Sequence, residues 1–164
     1  MDPQSHDLAQ KLIELCAEKK LTIVTAESCT GGLVAGALTE VPGSSAVFDR
    51  GFVTYSNAAK QRMLGVADEI MSSHGAVSRA TAEAMARGAL TYAPASLAVS
   101  VTGIAGPGGG TAVKPVGLVH VAAAARDGRL LHRERRFGDV GREEVRRLSV
   151  ILALESLLEL ANSD

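Results

Sequence analysis

Aromatic side chains are nearly missing from this 164-residue chain: Phe, Trp and Tyr together make 3%, and there is no Trp. A core without rings has to be assembled from Ala, Val, Leu and Ile. The chain also has few of the rings on which single-stranded nucleic acid stacks. An excess of one charge is missing as well, and a net charge of -1 supplies no electrostatic reason for a polyanionic partner, so nucleic acid is not expected. Cysteine is scarce: Cys16 and Cys29 are too few for a disulfide framework and lack the paired spacing of a zinc site, which suits a reducing cytosol. No stretch approaches the ~18 consecutive apolar residues of a membrane span. The first twenty residues carry Asp2, Asp7, Glu14 and Glu18 through their apolar positions and cannot serve as a signal-peptide core. The expectation is a soluble, cytoplasmic protein with no membrane partner.

What is present is ordinary for a globular chain, with 46% hydrophobic and 21% charged residues. The length predicts one domain over residues 1–164. Leu8, Leu12, Leu15 and Cys16 recur at helical spacing and predict a helix over 6–19. A short β-branched run follows at 21–26, then a helix at 33–40 that stops before Pro42-Gly43. A strand is predicted at 48–55, and a helix capped by Asn57 that ends near Gly65. Ser78 caps the next helix, whose apolar face carries Ala82, Met85, Ala86, Ala89 and Leu90. Strands at 97–101, 116–125 and 130–137 follow, the last two forming a hairpin around Asp127-Gly128, before a final helix over 142–161. Strands alternating with helices imply an α/β fold, a three-layer α/β/α sandwich with a mixed sheet of about five strands.

Several segments carry candidate chemistry. Ser28 follows a strand and precedes a helix entered through Gly31-Gly32, where helix-terminal amides can meet developing negative charge. It reads either as a nucleophile or, with Thr30, as a plain helix cap. Tyr55 and Lys60 flank a strand-to-helix junction. A lysine partly desolvated beside a hydroxyl falls in pKa and can take a proton from a serine, although Lys60 reads equally as a solvated first-turn residue. The run from Gly103 to Gly110 holds five glycines in eight residues. Its backbone can approach an anion closely, but it is neither a Walker loop nor a dinucleotide fingerprint. The four histidines, His6, His74, His120 and His132, are scattered and give no metal-ligand spacing. The arginines of the C-terminal part, from Arg133 to Arg147, fall largely on solvated faces.

Three motifs, T-A-E-S-C-T-G-G at 25–32, G-S-S with R-G-F-V-T-Y-S-N-x-x-K through 43–60, and T-G-I-A-G-P-G-G at 102–109, together resemble the CinA C-terminal domain family. H-G-A-V-S at 74–78 and K-P-V-G at 114–117 extend the resemblance along the chain. It implies a deamidase of nicotinamide mononucleotide, giving nicotinic acid mononucleotide and ammonia within pyridine-nucleotide salvage. It also implies Ser28, Tyr55 and Lys60 as the catalytic set, and no metal or organic cofactor. By the same motifs, Thr30, Gly31, Gly32, Ser44, Thr102, Gly103 and Gly106 are expected to bind substrate, with Arg142 on its phosphate. In this chain Val140-Gly141 separates Gly138-Asp139 from Arg142, where many members run Gly-Asp-Arg without a break. Larger relatives carry a preceding nucleotide-processing domain, for which 164 residues leave no room. The partner expected is a small nucleotide, with self-association left open. Two rival readings are Cys29 as nucleophile in the same reaction and a non-catalytic nucleotide-sensing module.

Overall fold

The computed structural model describes residues 2–163. The elements run α1 (Pro3–Lys19), β1 (Ile23–Glu27), α2 (Leu33–Thr39), a 3₁₀ turn (Ser44–Ala46), β2 (Phe48–Val53), α3 (Asn57–Leu64), α4 (Asp68–His74) and α5 (Arg79–Tyr92). They continue with β3 (Leu97–Gly103), β4 (Leu118–Ala125), β5 (Leu130–Arg136) and α6 (Arg142–Asn162). The five strands form one mixed sheet in the order β2-β1-β3-β4-β5. β1 is parallel to both β2 and β3, with Ile23 opposite Phe48 and Leu97, while β4 and β5 return antiparallel. The C-terminal ends of β2, β1 and β3 therefore lie side by side at one edge of the sheet.

Alternation along the strands sorts the core into two layers. Leu97, Val99 and Val101 of β3, with Val119 and Val121 of β4, face α1, α2 and α6 through Leu12, Val34, Leu38, Leu154 and Leu157. The intervening positions, Val24, Ala26, Ala98, Ala122 and Ala124, face α5 and α3 through Met85, Ala86, Ala89 and Leu64. Side chains this small let α5 lie close on the sheet. The fully buried apolar residues described are aliphatic or sulfur-bearing, with no Phe or Tyr among them. Gly88 brings α5 against the end of α3: a Cβ there would stand 2.0 Å from the Leu64 carbonyl oxygen.

Two local expectations are corrected. The cap of α3 is Ser56, whose hydroxyl accepts from the Ala59 amide at 3.0 Å, so Asn57 becomes the first helical residue. Helix α4 has no counterpart among the expected elements. Its seven residues show little apolar periodicity, and only Met71 is buried. Among the described residues no helix is long and apolar enough to cross a membrane.

Candidate active site

Each of the three parallel strands ends in a candidate residue. Ser28 follows the last residue of β1, and the sheet ladder continues through it: its amide donates to the Val101 carbonyl at 2.9 Å, while Thr54 N donates to Glu27 O at 2.8 Å. Tyr55 and Lys60 follow β2, and Thr102 and Gly103 close β3. Ligands of open α/β sheets bind in this kind of crevice beyond the strand ends. A cleft of about 270 Å³ lies there, lined by Ser28, Cys29, Tyr55, Lys60, Thr102 and Arg142 together with the glycine-rich run from Gly103 to Gly109. A larger hollow of about 840 Å³ lies between α1, α2 and α6, but neither Ser28, Tyr55 nor Lys60 lines it. The three candidate catalytic side chains line the smaller cleft.

Lys60 is 1% exposed. Helix α3 turns it inward on the same face as Leu64, one turn on, and its Nζ reaches Ser28 Oγ at 3.0 Å, the Thr54 carbonyl at 3.0 Å and the Tyr55 carbonyl at 3.4 Å. Burial pulls its pKa below the ordinary lysine value, more strongly than the neighbouring Cys29 thiol pushes it up. The two carbonyls can only accept, so they claim two N–H bonds of the amine. When the amine is neutral, its lone pair is left facing the serine hydroxyl. The solvated reading of Lys60 is thereby corrected. The i, i+4 spacing of Lys60 and Leu64 was the available sign.

The turn after Ser28 is braced from within. Glu27, 1% exposed, accepts from Thr30 Oγ1 at 2.6 Å and from the amides of Val34 and Ala35 at 2.9 and 3.0 Å. Leu33 N donates to Thr30 O, and Gly31 N to Ser28 O. The first-turn amides of α2 are thus committed to the protein itself. They are not available to a developing oxyanion, which leaves the turn amides from Cys29 to Gly32 as its candidate donors. Nothing in the composition singled out Glu27, whose carboxylate acts as a cap from the strand side.

Arg142, despite the Val140-Gly141 interruption, begins α6 at the rim of the cleft. Its Nη1 donates to the Gly106 carbonyl at 2.9 Å and its Nη2 to the Tyr55 hydroxyl oxygen at 2.8 Å. Tyr55 is 61% exposed and keeps its own O–H to donate. Thr102 faces the cleft, with its hydroxyl donating to the Ala76 carbonyl at 2.8 Å. Other expected ligands stand apart. Ser44, in the 3₁₀ turn, does not line the cleft; the Thr30 hydroxyl is committed to Glu27; and Gly32 borders the larger hollow. Gly31 lies beneath the Arg146 guanidinium. Cys29 is 4% exposed, and burial pushes its thiol up to about 11. Such a thiol is a poor source of thiolate.

The histidines are not all scattered. His120 Nδ1 and His132 Nε2 are 2.9 Å apart on the β4–β5 hairpin, and burial lowers both pKa values, but neither lines the cleft. Among the described residues no three His, Cys, Asp or Glu side chains are placed to hold a metal ion.

Residues 5–161 match the family described as the CinA C-terminal domain. The chain belongs to that family. It is 51% identical over 160 residues to nicotinamide-nucleotide amidohydrolase PncC of Pseudomonas putida, covering 98% of both chains. It is 56% identical over 117 residues to a CinA-like protein of Chloroherpeton thalassium, covering 71% of this chain but only 28% of that one. Family members thus include proteins of this length and much longer ones. The crystal structure of competence/damage inducible protein CihA from Agrobacterium tumefaciens superposes with a TM-score of 0.97 at 57% identity, covering 98% of this chain and 97% of that one.

Proposed function

We propose that this chain is an amidohydrolase that converts nicotinamide mononucleotide to nicotinic acid mononucleotide and ammonia, with Ser28 as nucleophile. The observation that carries the reading is the buried Lys60 amine 3.0 Å from Ser28 Oγ, with two carbonyls holding its remaining N–H bonds. The name of the full-length Pseudomonas putida relative supplies the substrate class.

In this mechanism neutral Lys60 takes the Ser28 proton as Oγ attacks the carboxamide carbon. The tetrahedral oxyanion is held by turn amides, among which Gly31 N is already bound to Ser28 O, so Cys29 and Thr30 are the donors assigned. Tyr55 passes a proton to the departing ammonia and takes one back from the water that then attacks the acyl-serine. The Lys60 ammonium returns its proton to Ser28 Oγ as the acyl group leaves, restoring the hydroxyl. Arg142 has N–H bonds beyond those to Gly106 and Tyr55, and these serve the substrate phosphate.

The buried, high-pKa thiol argues against Cys29 as nucleophile. The direct check is ammonia release from nicotinamide mononucleotide by the purified chain. Ser28→Ala should lose at least about 10³-fold of that rate with an unchanged circular-dichroism spectrum. A Ser28→Ala protein as active as wild type would overturn the reading.

A further inference from the structure

The turn that carries Ser28 is gripped from a second side by a residue that belongs to none of the sequence motifs. Arg146 sits one helical turn after Arg142 on α6. Its Nε donates to the Cys29 carbonyl at 3.1 Å, and its Nη2 lies 3.4 Å from the Thr30 carbonyl. Its guanidinium also covers Gly31, whose φ of +58° leaves that side of the turn without a side chain. Arg146 borders the larger hollow, whereas Ser28 and Cys29 border the cleft, so the arginine grips the turn from its far side.

The peptide plane gives this grip a consequence. In a trans peptide the C=O and N–H point in opposite directions. Fixing the Cys29 carbonyl toward Arg146 turns the Thr30 N–H away from it. The next peptide is fixed at both ends: Gly31 N donates to Ser28 O, while Thr30 O accepts from Leu33 N and faces Arg146. The amides of α2 cannot substitute, because Glu27 and Thr30 already occupy them.

We infer that Arg146 is a positioning residue for the reaction, fixing the Cys29-Thr30 peptide so that the Thr30 N–H is held ready for the oxyanion formed at Ser28. The inference rests on the serine reading proposed above. Arg146 touches no substrate atom in this role; it acts through a backbone amide. An interaction made only in the transition state appears in kcat and leaves KM alone.

The test is steady-state kinetics of ammonia release from nicotinamide mononucleotide by Arg146→Met and Arg146→Lys, with Ser28→Ala measured in parallel. Arg146→Met should lose about 10²-fold in kcat, the scale of one lost oxyanion donor, with KM within about threefold of wild type. Arg146→Lys retains one donor for the Cys29 carbonyl and should fall between Met and wild type. The pH midpoint of the rate should not move in either, since the Lys60 contacts are untouched. If Arg146→Met does not fold, the Lys variant still gives the kcat and KM separation. Inactive Ser28→Ala beside Arg146 variants whose kcat stays within about twofold of wild type, or whose loss lies wholly in KM, would overturn this inference alone. An active Ser28→Ala would overturn the serine reading beneath it.

Discussion

Burying a lysine ammonium costs several kcal/mol unless it is well paired, and among the described residues the hydrogen-bond partners of Lys60 Nζ are two neutral carbonyls and one hydroxyl, with no carboxylate. Burial therefore disfavours the ammonium relative to its ordinary balance with the neutral amine, the form a proton acceptor requires. The sign of the pH dependence follows. Below the Lys60 pKa the amine is protonated and cannot take the serine proton, so kcat/KM should rise about tenfold per pH unit and level off above that pKa. The midpoint should lie below the ordinary lysine value of about 10.4, as burial requires. Lys60→Arg should lose about 10³-fold, because arginine stays protonated at any working pH. Retention of most activity by Lys60→Arg with an unchanged profile would show a purely electrostatic role. At this scale the sequence was informative through motifs rather than spacing. Ser28 looked like a cap and Lys60 like a solvated residue, because one strand-to-helix junction does not reveal what lies across the sheet edge. Arg142 and Arg146 share an i, i+4 face, which was the available sign that both lie on the side of α6 turned toward the strand ends. Glu27 offered no such sign.

Elements carry the residues into register, and their placement depends on close backbone approaches. Helix α3 holds Lys60 and ends where Leu64 O meets Gly88 of α5, with room for no side chain. Gly88→Ala should therefore cost about 3 kcal/mol, the upper part of the range for overpacking. It should lower the melting temperature by several degrees, as calorimetry or a thermal melt would read. Activity should fall as well, since relief of the clash moves α3 relative to β1 and lengthens the Lys60–Ser28 contact. Wild-type melting and activity in the Gly88→Ala variant would contradict this packing. Helical spacing of apolar residues made α1 and α5 legible in the sequence, and the strands were placed to within two residues. Helix α4 escaped because a seven-residue helix with one buried side chain leaves almost no pattern. The cap of α3 was misassigned by one residue because Ser56 and Asn57 are both good caps, and backbone geometry decides between them.

For the molecule as a whole, the sheet order brings three parallel strand ends together, and no window of sequence contains that information. The α/β/α sandwich was readable from alternation of elements; the cleft required the order β2-β1-β3. Once that order exists, Ser28, Lys60 and the glycine-rich run lie on one rim although they are far apart in the chain. The covalent intermediate tests this assembly most directly. Protein mixed with nicotinamide mononucleotide, quenched in acid within the first turnover and measured as intact protein, should gain the mass of the substrate less that of ammonia. Peptide mapping should locate the gain on Ser28, and it should be absent from Ser28→Ala. An adduct on Cys29, or undiminished turnover by Ser28→Ala without any adduct, would contradict the account.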